Sequence, residues 1–248
     1  MSSHFQKIVS EPNVLSFALN LTLAILGFAG FALLARSFPL EIFGEWVLYI
    51  SAAALIEMIR YGITLAAVVR YLPGLEDEER LKLIGSSGFL GVITTIAIAL
   101  IIWLCHIYFP GPIKKGGYEL FFTWYPLLTI LKFPYQNALI ILQADLEFKK
   151  MLFLRSFEAG IFFLFVLVNY VYPHATIEQL IIYQIFINSI VSVFCSVKDW
   201  DGLRHLGKTT WKNSRTLLDF GKYATFTIVY RSFAQPGSVP DRIEIITN

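Results

Sequence analysis

The residues of this chain most able to do chemistry are charged side chains inside long apolar stretches. Lys132 lies near the middle of one such stretch, between Pro126 and Pro134. An ionisable group at the centre of a bilayer costs roughly 2.5–3.5 kcal/mol on insertion scales, so it usually faces a cavity or an opposite charge. Two interpretations of Lys132 therefore stay open. It lines a polar cavity, or it forms a salt bridge to another helix, for which Glu57 is available.

Two further charged pairs lie in apolar stretches, each with a spacing of three residues. Glu57 and Arg60 form the first pair, and Arg155 and Glu158 form the second. On a helix this spacing puts both side chains on one face, and a neutralised pair costs less to insert than a single charge. Each pair is therefore either structural or part of a binding site. Arg155 also lies close enough to the predicted helix start to extend its guanidinium to the membrane surface.

A stripe of polar residues marks the last long apolar stretch. Gln184, Asn188, Ser192 and Ser196 recur at every fourth position and so share one helix face. Such a stripe either lines an aqueous path or forms hydrogen bonds to neighbouring helices. Together these patterns give the following candidate substrate-binding residues: Arg60, Lys132, Glu57, Arg155, Gln184 and Asn188.

The sequence contains no catalytic or cofactor-binding motif. It lacks a Gly-rich phosphate loop, a His-Glu-x-x-His pair and a Gly-x-Ser-x-Gly turn. Cys105 and Cys195 lie in apolar runs and are predicted to be buried apolar residues, so no metal site is expected. We expect a protein that moves a solute without enzymatic activity or a cofactor.

Long apolar helices must position these side chains. Of the 248 residues, 56% are hydrophobic and 15% are charged, whereas a soluble domain has about 25% charged residues. This composition disfavours a soluble enzyme, a disordered chain and a disulfide scaffold. The formal net charge of +2 gives no overall basic field of the kind that nucleic acid requires.

Six apolar runs are each long enough to cross a bilayer, which takes about 20 residues. They cover residues 14–35, 45–69, 83–109, 118–143, 152–172 and 177–197, and a weaker seventh run begins near residue 217. We therefore predict an all-α polytopic membrane protein. Residues 1–200 are expected to form a six-helix transmembrane lobe, 201–216 a cytoplasmic linker, and 217–248 the start of a seventh helix with an irregular tail.

The distribution of Lys and Arg predicts which side of the membrane each loop occupies. With the N-terminus in the cytoplasm, cytoplasmic segments hold 12 cations and outer segments hold 3. Short cytoplasmic loops carry the excess of Lys and Arg. We therefore expect a multi-pass protein with a cytoplasmic N-terminus.

Three short motifs resemble those of a known family. Arg36, Pro39 and Gly44 occupy the turn after the first run, and a Tyr61-Gly62 pair precedes Arg70. The third motif is the Asp-Phe-Gly-Lys-Tyr sequence of residues 219–223. Over about residues 10–230 the chain resembles bacterial polysaccharide flippases, the O-antigen and capsule group of the multidrug/oligosaccharidyl-lipid/polysaccharide exporter superfamily.

The resemblance implies a fold, a substrate and a location. It implies two six-helix lobes facing a central cavity in the bacterial inner membrane. Across that membrane they would move undecaprenyl-diphosphate-linked oligosaccharide for lipopolysaccharide or capsule synthesis. Cavities in the family are often cationic, which agrees with Arg60 and Lys132 as ligands for the diphosphate.

The length of the chain departs from this pattern. Because relatives have about twelve to fourteen helices, this chain is expected to hold only the N-terminal lobe and to pair with a second copy or with polysaccharide-assembly proteins. Two alternatives are a multidrug exporter of the same superfamily and a membrane scaffold that does not transport.

Overall fold

The computed structural model describes residues 12–172 and 175–234, and all regular structure within them is helical. The helices, in chain order, are α1 (Pro12–Ser37), α2 (Leu40–Tyr71), α3 (Asp77–Tyr108), the short α4 (Pro110–Lys115), α5 (Glu119–Ala144), α6 (Phe148–Val171), α7 (Ile177–Val197), a 3₁₀ helix (Leu203–Lys208) and α8 (Trp211–Ala234). The all-α class predicted from composition is confirmed.

Five of these helices are long and apolar enough to cross a membrane. Within the described residues they are α2, α3, α6, α7 and the segment Asn20–Ser37 of α1. The predicted run at residues 118–143 does form a helix, α5, of 26 residues, but it is not among these five. The membrane class is therefore confirmed, whereas the six-helix lobe stays a prediction.

Helix α5 lies at the centre of the bundle, in contact with α2, α3, α6 and α7. Its neighbours on most sides are helices rather than lipid, and it can therefore carry Lys132, Gln136 and two prolines. The backbone N–H of Tyr135, next to Pro134, donates to the Ser192 hydroxyl of α7 at 3.3 Å. A neighbouring helix thus supports the backbone where a proline interrupts the helical hydrogen bonds.

The outer helices pack as two pairs. Helix α1 lies along α6 and has only marginal contact with α2, whereas α8 lies along α2. In the second pair, Leu217 is fully buried, and the ring of Phe220 meets that of Tyr71 edge-on with centroids 5.6 Å apart. Helix α7 begins with a capping box, in which the side chain of Thr176 accepts from Gln179 N and the Gln179 side chain accepts from Thr176 N.

Most of the basic residues that the topology rule assigns to the cytoplasm meet at one end of the bundle, here called the basic end. There Arg80, at the start of α3, donates twice to Asp145, at the end of α5, at 2.6 and 2.7 Å. Lys150 lies over the ring of Trp200, 5.5 Å from its centroid. The ends of α3, α5, α6 and α7 therefore form one surface.

The 3₁₀ helix is docked against the first turns of α3. A Cβ atom at Gly85 would overlap the backbone carbonyl of His205, so this close approach requires glycine. The Asn137 side chain of α5 also donates to the Asp201 carbonyl at 2.6 Å. The predicted linker at residues 201–216 is thus a packed part of the bundle, and α8 starts at Trp211 rather than near residue 217.

Candidate functional site

A charged cavity of about 470 Å³ lies between α1, α2, α5 and α6. Most of its polar lining comes from the middle of α5 and from the facing sides of α2 and α6. The lining residues are Leu23, Ala54, Glu57, Met58, Tyr61, Lys132, Tyr135, Gln136, Leu139, Arg155 and Glu158. Three of the predicted site residues, Glu57, Lys132 and Arg155, therefore share one cavity.

Glu57 is held on the α2 side of the cavity by three donors. Its Oε2 atom accepts from Arg60 Nη2 at 2.6 Å and from Gln136 Nε2 at 2.6 Å. Its Oε1 atom accepts from the Tyr125 hydroxyl at 3.1 Å. These three donors, from α2 and α5, fix the position of the Glu57 carboxylate on this wall of the cavity.

Arg60 lies behind Glu57 and not on the cavity wall. Its side chain is 4% exposed, and its second terminal nitrogen donates to the Thr95 hydroxyl of α3 at 2.8 Å. The predicted pair of Glu57 and Arg60 is therefore formed. Its charges cancel locally, which leaves Arg60 as a support for Glu57 rather than a group that faces a ligand.

The other half of the cavity is more loosely paired. Glu158 of α6 accepts from the Tyr135 hydroxyl at 3.0 Å, and Lys132 Nζ lies 3.8 Å from its Oε1 atom. Lys132 thus pairs with Glu158, and not with Glu57 as the sequence allowed. Both side chains are 22% exposed, so they remain accessible from the cavity.

Arg155 lines the same half of the cavity, where its guanidinium interacts with the Tyr61 hydroxyl of α2. Arg155 lies one turn before Glu158, but that carboxylate reaches across to α5 instead. Lys132 and Arg155 together supply two cations against the single carboxylate of Glu158. With the Glu57–Arg60 pair neutral, this half of the cavity carries one excess positive charge.

Such an arrangement can bind an anion in a partly dehydrated setting. Charge–charge attraction is several times stronger there than in water, and an arginine fork can hold two phosphate oxygens at once. The Tyr61 hydroxyl donates to the Gln136 carbonyl at 3.2 Å and the Tyr135 hydroxyl to Glu158, so towards a polar ligand both oxygens can act as acceptors. No group of three His, Cys, Asp or Glu side chains in the described part of the chain is placed to hold a metal ion.

The polar stripe of α7 lies elsewhere and bonds within the bundle. Asn188 is fully buried and donates to the Gln184 carbonyl at 2.8 Å. Ser192 accepts from α5, and Ser196 donates to the Asp201 carboxylate. Neither Gln184 nor Asn188 lines the charged cavity. Of these hydrogen bonds, that of Ser192 joins α7 to α5, whereas that of Asn188 stays within α7.

Comparisons with known proteins identified no relative in which a similar site could be sought. No family model, curated protein or solved structure matches the chain. The flippase resemblance, its substrate and its partners therefore stay predictions.

Four cavity or supporting residues were missed from the sequence: Tyr61, Tyr125, Tyr135 and Gln136. Tyr125, Tyr135 and Gln136 lie on α5 with Lys132, and a helical projection of that stretch would have put Gln136 one turn beyond the lysine. The signal was weak because tyrosine is common in membrane helices for packing alone. Only the position of α2 and α6 around α5 identifies these side chains as part of one network.

Proposed function

We propose that this chain is a non-enzymatic transporter of the bacterial inner membrane that binds and moves lipid-linked oligosaccharide through its diphosphate. The observation that carries this proposal is the excess positive charge of Lys132, at the middle of α5, and Arg155, near the start of α6, on the wall of one cavity. A diphosphate is a compact anion, which two cations can neutralise. The flippase resemblance supports the same assignment.

The proposed roles of the site residues follow from their exposure. Lys132 and Arg155 would contact the diphosphate, and the Tyr61 and Tyr135 hydroxyl oxygens would accept from hydroxyl groups of the first sugar. Glu57 and Arg60 would hold α2, α3 and α5 together around the cavity through their hydrogen bonds to Gln136 and Thr95. Glu158 would hold Lys132 in place while the cavity is empty.

A complete translocation path in this proposal needs a second lobe. Alternating access moves two halves about a site near the middle of the membrane. A facing half of the same kind would complete the pathway. The cavity described above would then be one wall of the pathway.

The first experiment measures binding by the purified full chain, because binding tests the site independently of the second lobe. We expect a polyprenyl diphosphate to bind at least about tenfold more tightly than the matching polyprenyl alcohol. Lys132→Gln and Arg155→Gln should each remove most of this preference. The control, Lys115→Gln, changes an exposed cation outside the cavity and should leave the preference unchanged. Equal binding of diphosphate and alcohol would contradict the proposal.

A second experiment addresses transport in cells. The full chain is expressed in a strain that lacks its own O-antigen flippase, and surface polysaccharide is measured. Rescue by the native chain and by Lys115→Gln, but not by Arg155→Gln, would support transport. Association with polysaccharide-assembly proteins without diphosphate binding would instead support the scaffold alternative.

A multidrug exporter is the second candidate, and Glu158 is the observation that favours it. This carboxylate has one hydrogen-bond donor, Tyr135, and a cation at 3.8 Å, so an organic cation could compete with Lys132 for it. In that case Glu158→Gln would abolish efflux of a cationic dye. Under the flippase proposal the chain should not export such a dye at all.

A further inference from the structure

A second concavity, of about 500 Å³, lies on the opposite side of α5 from the charged cavity. We call it the α5–α7 groove. Its lining residues are Ile130, Leu131, Pro134, Ser189, Ser192, Val193, Ser196, Val197, Asp201, Leu203 and Arg204. The serines of α7 lie opposite Pro134 of α5, and because their side chains are small, they leave space between the two helices. It is separate from the proposed diphosphate site because none of its residues lines the charged cavity.

The groove has an apolar body and a charged mouth. Its walls include Val193 and Val197, which are 63% and 68% exposed on a membrane helix and therefore face lipid. Along α7 it covers residues 189–197, about 12 Å of helix at 1.5 Å per residue. This is close to the depth of one leaflet, since the hydrocarbon core of a bilayer is about 30 Å thick.

Arg204, on the 3₁₀ helix, occupies the mouth at the basic end. Its side chain is 65% exposed, and its nearest acidic partner, Asp199, is 3.9 Å away. Asp201 also lines the mouth, but it is 1% exposed and its two carboxylate oxygens accept from Ser196 and from the Leu203 N–H. Asp199 is 33% exposed and its pair with Arg204 is long, so the most exposed charged group at the mouth is the Arg204 guanidinium. The same segment also contains the exposed cations Lys198 and Lys208.

We infer that the α5–α7 groove is a binding site for one anionic phospholipid. An acyl chain would lie against the apolar walls, and the headgroup phosphate would pair with Arg204 at the membrane surface. Apolar walls one leaflet deep, ending at an accessible cation, match the layout of such a lipid. A zwitterionic lipid would fit the walls equally well but would gain less from Arg204 at the mouth.

The test uses the full chain in nanodiscs that contain equal amounts of phosphatidylglycerol and phosphatidylcholine. Photoactivatable versions of each lipid are crosslinked, and crosslinks to the peptide containing residues 189–204 are quantified by mass spectrometry. Native protein should crosslink phosphatidylglycerol in preference to phosphatidylcholine. Because a cation near an anionic lipid surface contributes about fivefold in affinity, Arg204→Gln should reduce this preference about fivefold.

Two matched controls distinguish lipid binding in the groove from general attraction of anionic lipid to surface cations. Arg215→Gln removes a cation on α8, outside the groove, that is 76% exposed against 65% for Arg204, and it should leave the preference unchanged. Val193→Trp fills the groove and should remove the phosphatidylglycerol crosslink, whereas Ile190→Trp, at a lipid-facing position that does not line the groove, should keep it. Equal crosslinking of the two lipids, equal effects of the two arginine variants, or no effect of Val193→Trp would each overturn the inference.

Discussion

At the scale of single residues, the charged cavity contains two glutamates with different surroundings. Glu57 accepts from Arg60, Gln136 and Tyr125, and its arginine partner is almost completely buried. Glu158 accepts from one tyrosine and faces a partly exposed lysine at 3.8 Å. Removing the first carboxylate leaves a buried positive charge without a counter-ion, whereas removing the second leaves a cation that the cavity can hydrate.

This difference predicts unequal stability costs for two matched substitutions. Glu57→Gln should destabilise the protein by about 2–3 kcal/mol. Glu57 is 22% exposed, like Glu158, but its partner Arg60 is 4% exposed and would be left without a counter-ion, and the loss of one partner of a fully buried pair costs about 3–5 kcal/mol. Glu158→Gln should cost about 1 kcal/mol or less, because its pair is partly exposed. Thermal unfolding of both purified variants in one detergent measures the difference. Equal shifts in unfolding temperature would contradict the role of Glu57 as the counter-ion of Arg60.

Ion pairs within one helix could be predicted from the sequence, whereas ion pairs between helices could not. The Glu57–Arg60 pair followed from spacing along one helix, and it is formed. The partner of Lys132 could not be predicted in the same way, because Glu57 and Glu158 both lie on other helices. Which of them reaches Lys132 depends on how α2 and α6 are rotated against α5, and a single sequence contains little information on rotation.

At the scale of helices, α5 explains why the apolarity of a segment does not measure its depth in the bundle. Tyr135, Gln136 and Asn137 are consecutive and buried, and each forms a hydrogen bond to another segment. These polar residues lower the hydropathy of α5 even though it is the most surrounded helix. The sequence therefore predicted its presence and approximate bounds but not its central position.

The docking of the 3₁₀ helix on α3 gives a sharp prediction at this scale. Gly85→Ala should separate the two elements, because the new methyl group overlaps a backbone carbonyl that cannot rotate away. Protease cleavage and hydrogen exchange within residues 198–216 should increase several-fold. Gly27→Ala is the matched control, since a Cβ there meets nothing within 4 Å. If Gly85→Ala left protease resistance and hydrogen exchange of residues 198–216 unchanged, the close contact between Gly85 and the His205 carbonyl would be contradicted.

The ion pair between α3 and α5 can be tested by exchanging its charges. Arg80→Asp places two carboxylates together and should lower stability by about 1 kcal/mol, the upper range for a partly exposed pair. Adding Asp145→Arg to the same chain should recover most of that loss. Unfolding temperatures of the single and double variants provide the measurement. A double variant no more stable than Arg80→Asp would mean that the pair does not join the helices.

At the scale of the whole molecule, the positions of Lys and Arg predict orientation. The structure gathers the segments with most of these residues at the basic end, and the short helix α4 with Lys114 and Lys115 follows α3 at the opposite end. Since such residues favour the cytoplasmic side, the basic end should face the cytoplasm. The fold class followed from composition, whereas the compact arrangement of residues 201–216 did not, because no local pattern specified its contact with Gly85.

Cysteine labelling of intact cells tests this orientation. In a chain with Cys105 and Cys195 replaced by alanine, Lys115→Cys should react with a membrane-impermeant thiol reagent. Lys208→Cys should react only after the membrane is permeabilised. The reverse pattern would place the basic end outside and would contradict the predicted orientation.

The unequal attachment of α1 has a consequence for how a ligand reaches the charged cavity. Helix α1 supplies Leu23 to the cavity wall, yet it is held mainly by α6 and hardly by α2. A small outward displacement of the α1–α6 pair would therefore open a lateral portal to the hydrocarbon phase. It would separate Glu158 from Tyr135 and Lys132 but leave the hydrogen bonds between α2 and α5 intact. Through such a portal a headgroup could enter while its tail stayed in lipid, and the entry rate would depend on bilayer thickness and fluidity.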